Sequence, residues 1–198
     1  MQAESYFYSY LQQFIALEHD EFVQLIQPFI RHRYFEKKEI ITEKGEVEQY
    51  INFVVDGLAR KFYKSAQEEI TLQISNRGHF IHVQESFHTQ TPSEFFVEAI
   101  EPTRFVSLSF NNLEKIYASH PKMERLGRLV ITYTTILRDK WQMQMIKMTP
   151  RERFLRFVEH NPDLLKRVPQ KYLASYLNIQ PETFSRFKHL LNTKKVSA

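Results

Sequence analysis

The feature that most constrains this chain is a hydrophobic period that changes twice. Between Arg31 and Ser109, β-branched and aromatic residues come in short runs, as in "RYFEKKEIITEKGEVEQYINFVVDGLARKFYKSAQEEITLQISNRGHF", punctuated by Gly45, Gly57 and Gly78. Such runs, separated by turn residues, predict an antiparallel sandwich or barrel and not a parallel sheet. "YINFVVDGLARKFY" predicts a strand, a turn at Asp56-Gly57 and a second strand, which is a hairpin signal. "FFVEAIEPTRFVSLS" predicts two more strands around Glu101-Pro102. Upstream, Phe14, Leu17, Phe22, Leu25 and Ile26 recur at three- and four-residue steps, so residues 1 to about 30 read as helical, with Pro28 interrupting near the end.

After Ser109 the helical period returns. "NNLEKIYASHP" predicts a short helix with Asn111 as its N-cap. "PKMERLGRLVITYTTILRDKWQMQMIKM" predicts a long helix of about 26 residues. Its Met123, Leu126, Val130, Tyr133 and Leu137 alternate steps of three and four, the seam of a coiled coil, and dimerisation is the expectation. The other partner for this stripe is the chain's own β domain. Thr149-Pro150 ends the helix, because a residue before proline is pushed out of the helical region. Pro150 then suits the first turn of "PRERFLRFVEH".

Charge divides the chain. From Pro150 onward there are ten Lys and Arg against four Asp and Glu, whereas the first 149 residues hold seventeen against nineteen. A basic tail on a slightly acidic body suggests a polyanionic partner, with a solvated basic face as the alternative. The chain has no cysteine, which excludes disulfides, thiolate catalysis, zinc fingers and iron–sulfur clusters. Four glycines leave no room for a Gly-rich phosphate loop. "MQAESYFYSY" lacks the pattern of a signal peptide, and no apolar run approaches the roughly 18 residues of a membrane span. The expectation is a cytoplasmic protein with no membrane partner.

In the tail, "VPQKYLASYLNIQPETFSRFKHLL" predicts two short helices whose Leu173, Leu177, Ile179, Phe184 and Phe187 or Leu190 share one small core. Ala174 is small where the helices cross, Asn178 tolerates the positive φ of a tight turn, and Pro181 suits the start of the second helix. Glu182, Ser185, Arg186 and His189 are then left on the outward face, where Arg can pair with guanine and a carboxylate with cytosine N4. Thr183, Gln180, Lys171 and Lys188 are better placed for phosphates. The pattern is that of a DNA-binding helix-turn-helix, the alternative being a helical hairpin at a protein–protein contact.

This order of parts resembles the Crp/Fnr family of bacterial transcription regulators, over about Phe29 to Leu191. The stretches that carry the resemblance are "EKGEVEQYINFVVDGLARKF", "EITLQISNRGHFI" and the tail motif, whose "PDLLKRVPQKYLASYLNIQPETFSR" looks like the Bacteroidetes-type version. It implies an α+β fold with three parts. Residues 1–120 form a cyclic-nucleotide-binding-like antiparallel β-roll (a double-stranded β-helix or jelly roll) with flanking helices, 121–148 a long dimerisation helix, and 149–198 an all-α helix-turn-helix domain. It also implies a homodimer reading an inverted repeat of double-stranded DNA through the helix at 181–191, with RNA polymerase as a further candidate partner. In the family the reading helix carries Arg-Glu-Thr-x-x-Arg. Here Pro181 replaces the first Arg, while Glu182, Thr183 and Arg186 are retained, so the half-site is expected to differ from the family's best-known operator.

The effector positions depart further. Members that bind cyclic AMP carry Gly-Glu after a "GDFI"-like turn and Arg-Ser-Ala before the next strand. This chain has His82-Val83 and Ser93-Glu94-Phe95 there. With ribose carboxylate and phosphate-binding Arg both absent, and Glu94 expected to repel an anion, cyclic AMP is not the expected ligand. The roll then holds another small molecule or none, so the effector is left unknown, and no cofactor is expected. His79, His82, Glu85 and His88 have a spacing that could hold a metal, but in an irregular loop they need not converge, and no metal site is assigned. Two other functions stay open: a ligand-binding adaptor whose tail has lost DNA binding, and a cupin-like metal-dependent enzyme. The second lacks a facing set of His and carboxylate ligands, so the chain is read as a non-enzyme.

Overall fold

The structure is a computed structural model that describes residues 2–196, with side chains from Gln2 through Leu190. Helices α1 (Gln2–Leu11) and α2 (His19–Leu25) lead through a 3-10 turn, Gln27–Phe29, into eight strands. These are β1 (Arg31–Phe35), β2 (Ile40–Thr42), β3 (Tyr50–Asp56), β4 (Leu58–Lys64), β5 (Glu69–Asn76), β6 (Phe80–Ile81), β7 (Phe96–Ala99) and β8 (Thr103–Ser109), with helix α3 (Gln84–Thr89) between β6 and β7. They form two four-stranded antiparallel sheets, ordered β1-β8-β3-β6 and β2-β7-β4-β5. Ile41, Val54, Ala59, Ile81, Val83, Val97, Ala99 and Phe105 fill the space between them. This is the expected β-roll.

The strand-turn-strand at Asp56-Gly57 is not a hairpin. β3 pairs with β8 and β6, whereas β4 pairs with β5 and β7, so the turn carries the chain from one sheet to the other. Gly57 makes that corner possible: its φ is +93°, and a Cβ there would lie 2.5 Å from the Pro102 carbonyl oxygen. Thr103 closes the corner, its Oγ1 accepting from Leu58 N at 3.1 Å and donating to Leu58 O at 2.9 Å.

Helix α4 (Phe110–Ser119) is capped by Ser109 and not by Asn111. Ser109 is still extended at the end of β8, and its Oγ accepts from Asn112 N, while Asn111 already lies inside the first turn. Helix α5 (Pro121–Lys147) follows, 27 residues long. Thr149 and Glu152 then form a reciprocal capping box at the start of α6 (Pro150–His160). The chain continues through α7 (Leu164–Arg167), α8 (Gln170–Tyr176) and α9 (Pro181–Val196). No helix among the described residues is long and apolar enough to cross a membrane.

Candidate nucleic-acid interface and effector cradle

The head is built around one apolar cluster. Phe154 and Phe157 of α6, Leu164, Val168, Leu173 and Ala174 of α8, Leu177, Ile179 and Phe184 of α9 are all buried together. Ala174 is fully buried at the crossing, Asn178 in the turn has φ +51°, and α9 begins at Pro181. The decisive polar group is Arg153, which pattern reading passed over. Its guanidinium donates to the carbonyls of Leu177 (2.8 Å), Asn178 (2.7 Å), Met148 (2.8 Å) and Met145 (3.2 Å). One buried side chain thereby ties the turn of the head to the C-terminal end of α5. Its spacing of four from Phe157 on a helix was the available signal, since it puts both on the inward face.

With Phe184 anchored inward, Glu182, Ser185, Arg186 and His189 are exposed on one side of α9. Gln180 and Lys171 are also exposed, while Thr183 and Lys188 are half-buried at the edges of that face. The eight side chains thus lie on the second helix of the pair, its leading turn, or the exposed side of the first. Arg186 lies along the ring of Phe187, its guanidinium carbon 5.9 Å from the ring centroid.

The α5 stripe splits in two. Met123, Leu126 and Val130 are buried in this chain's own core with Phe7, Tyr10, Phe53 and Leu113, so they are corrected from a dimer seam to packing within the chain. The reason is that α1 and α4 already cover that side of the helix. Tyr133 and Leu137 are exposed, together with Ile136, Met143 and Ile146. The outward stripe therefore starts about one turn past Val130.

The head also rests on the roll. Leu58 and Ile100 join its apolar cluster. The Ser175 hydroxyl accepts from Thr71 N at 2.8 Å, and Trp141 of α5 stacks on Tyr176 at 4.3 Å. Arg60 is buried at this joint, between the rings of Phe62 (3.8 Å) and Tyr172 (3.5 Å). It donates to Glu98 at 2.6 Å and to Glu69 at 2.8 Å.

At the effector positions, Val83 is buried and donates its N–H to Glu48 Oε2 at 3.2 Å. Ser93 is buried and bonded locally to Phe95. Glu94 does not face a ligand space. It is exposed and paired with Lys44 at 2.8 Å, which corrects its expected role in repelling an anion. His82 lines a cavity of about 640 Å³ together with His88, Gln84 and Arg138, and with Leu72, Ile74 and Trp141. Its ring is only partly exposed; Nε2 is sealed off and has no partner among the described residues. Burial, then Lys61, His88 and Arg138, push its pKa down to about 3, so the ring is neutral. Lys61 of β4 is not among the residues lining this cavity; burial first and Arg138 second lower its pKa to about 8. Buried Glu48 opposes this, but accepts from Thr42 Oγ1, Val83 N and Tyr50 N, and burial raises its own pKa. The His82 and His88 ring centroids stand 6.3 Å apart, and no group of three His, Asp or Glu suited to a metal comes together among the described residues.

Comparison with known proteins places this architecture. The cyclic nucleotide-binding domain family matches residues 32–120. FixK2 from Bradyrhizobium japonicum superposes with a TM-score of 0.69 at 18% identity, over 84% of this chain and 86% of that one. CLP of Xanthomonas campestris, described as a c-di-GMP responsive global regulator, gives 0.67 at 12%, over 87% and 91%. The catabolite activator protein of Thermus thermophilus gives 0.56 at 18%, over 94% and 88%. A search of curated protein sequences finds no match to this chain.

Proposed function

We propose, from the premise that residues 32–120 are a cyclic nucleotide-binding domain carried on the fold of Crp/Fnr-type regulators, that this chain is a homodimeric DNA-binding transcription regulator. The observation that carries the reading is the geometry of α9. A buried Phe184 and a left-handed Asn178 present Glu182, Ser185, Arg186 and His189 outward from a rigid, Arg153-clamped head. Arg186 is the base reader, with Glu182 and Ser185 beside it. Lys171, Gln180, Thr183 and Lys188 position the phosphates. The protein is a cytoplasmic non-enzyme. Two copies pair through the outward stripe of Tyr133, Ile136, Leu137, Met143 and Ile146, which sets two heads about one helical turn apart on an inverted repeat. Cyclic AMP is not the effector of the roll, since no Arg or Glu stands at the two positions where cyclic-AMP-binding members carry them.

Selection of binding sites from a random duplex library, followed by salt titration of the winner, tests this. An enriched inverted repeat with a steep salt slope is expected. Arg186→Ala should then cost about 1–3 kcal/mol and relax specificity at one base pair, while Lys171→Ala weakens all sequences alike. Equal losses on every sequence for Arg186→Ala would remove it as a base reader. No enrichment with or without cell metabolites would return the chain to the adaptor reading.

A further inference from the structure

Helix α8 has two working sides. Leu173, Ala174 and Leu177 are buried in the head's own core, whereas Tyr172 and Ser175 meet the roll and Tyr176 meets α5. The contacts with the roll take no part in reading DNA as proposed above. β5 is the outer strand of its sheet, and an outer strand leaves backbone groups without a ladder partner. The Ser175 hydroxyl serves two groups of that strand, accepting from Thr71 N at 2.8 Å and donating to Glu69 O at 3.3 Å. On β4, the guanidinium of Arg60 is held by Glu69 and Glu98 through its two Nη atoms, while its Nε has no partner among the described residues. The Tyr172 ring, 3.5 Å from the guanidinium carbon, closes the face opposite Phe62. No hydrogen bond of the Tyr172 hydroxyl is formed among the described residues, so the ring itself is the contact. A further tie joins Arg167 of α7 to Glu101 at the turn before β8.

These ties matter because of how the head is hung. Helices α5 and α6 meet at an extended break, Met148-Thr149, and a body joined to a helix at one such break keeps a swivel. Arg153 and Trp141 attach the head to α5 alone. Attachment to a second body, the roll, removes the swivel. In a dimer the direction each head faces sets the distance between the two α9 helices. One base pair of spacer turns a half-site by about 35° and moves it about 3.4 Å. The outward side chains of α9 read bases within a half-site and do not measure the gap between two of them. We propose that the stack of Tyr172 on Arg60, with Ser175 on β5, is a latch that fixes the head to the roll and thereby sets the number of base pairs between the half-sites. Tyr172 and Arg60 are positioning residues, acting on DNA only through the orientation of α9. This rests on the regulator reading and adds to it what selects the spacing. A head freed from the roll still recognises its half-site, but it reaches the second one over a wider range of separations and at a lower effective concentration.

The test uses the full chain and duplex libraries in which two randomised half-sites are separated by spacers of graded length. The wild type should enrich one spacer. Tyr172→Leu, at a half-buried site, should enrich the same half-site over several spacers, its preference for the first spacer over its neighbours falling about tenfold. Tyr172→Phe keeps the ring and should select as the wild type does. Arg167→Gln, at an exposed site that does not threaten folding, should broaden the spacing to a smaller degree. A merely structural role would weaken all spacers in proportion, and that result overturns the proposal. So does a spacer preference unchanged in both Tyr172→Leu and Arg167→Gln. Amide exchange without DNA gives a second readout. Thr71 should exchange faster in Tyr172→Leu than in the wild type or Tyr172→Phe, while the sheet amides of Phe53 and Val106 stay protected; equal protection of Thr71 in all three overturns the latch. The two ideas fail separately. An operator whose spacer is read as tightly by Tyr172→Leu removes the latch alone, and no operator for the wild type removes the regulator reading and with it the role in spacing.

Discussion

The two halves of α5 carry the same apolar spacing and do different work. In the first half, Met123, Leu126 and Val130 are sealed against α1, α4 and β3, and Gly127 lets the Tyr117 ring lie directly on the helix. In the second half, Tyr133, Ile136 and Leu137 are exposed and Ile146 is 70% exposed. A stripe at steps of three and four shows that one side of a helix is apolar. It does not say which surface covers that side, because a β-roll and a second helix both bury the same residues by the same desolvation. The turn between the halves is where cover by the chain itself runs out.

That contrast can be broken in four places. Leu126→Ala should have the largest effect, a loss of about 2–5 kcal/mol of folding stability. Urea denaturation at two protein concentrations should give the same loss at both; a concentration-dependent loss would move Leu126 to an intermolecular seam. Arg153→Met comes next, at about 3 kcal/mol, since the carbonyls of Leu177, Asn178 and Met148 lose a donor they meet at 2.8 Å or less. Hydrogen exchange should then rise in α8 and α9 and not in the sheets, which would show that the far end of α5 is fixed by the head. Gly127→Ala should cost about 1–3 kcal/mol, because its Cβ would meet the Tyr117 ring at 2.4 Å. A neutral outcome would mean that α4 and α5 separate easily. Leu137→Lys should be the mildest for folding, within about 0.5 kcal/mol. Sedimentation should nonetheless show it monomeric where the wild type is dimeric. A dimer unchanged by Leu137→Lys would sink the outward stripe as the seam.

Much of the candidate interface was legible because it depends on local rules. Pro181, Asn178 and Ala174 each answer a requirement of a tight two-helix turn, and the inward Phe184 fixes which residues α9 leaves outside. The effector cradle was less legible. Alignment by motif put Glu94 in it, but whether a side chain on a loop faces in or out depends on what pairs with it, here Lys44. Nothing local in "LARKFYK" marks Lys61 as inward, whereas the side of β4 that it shares with Ala59 does. Arg138 lines the same cavity as His82, and its bond to Gln84 is a contact 54 residues apart in the chain that no local spacing announces.

The sequence by itself determined the alternation of β and helical segments, the breaks at Gly57 and Thr149-Pro150, and the basic helix pair at the end. Each follows from the spacing and backbone freedom of residues close together in the chain. The tertiary structure alone decided that β3 and β4 lie in different sheets, that half of the α5 stripe is internal, and that Arg153 and Arg60 hold the head to α5 and to the roll. Those outcomes turn on contacts between residues far apart in sequence, where a buried charge finds its acceptors and an apolar face its cover only after the chain has closed on itself.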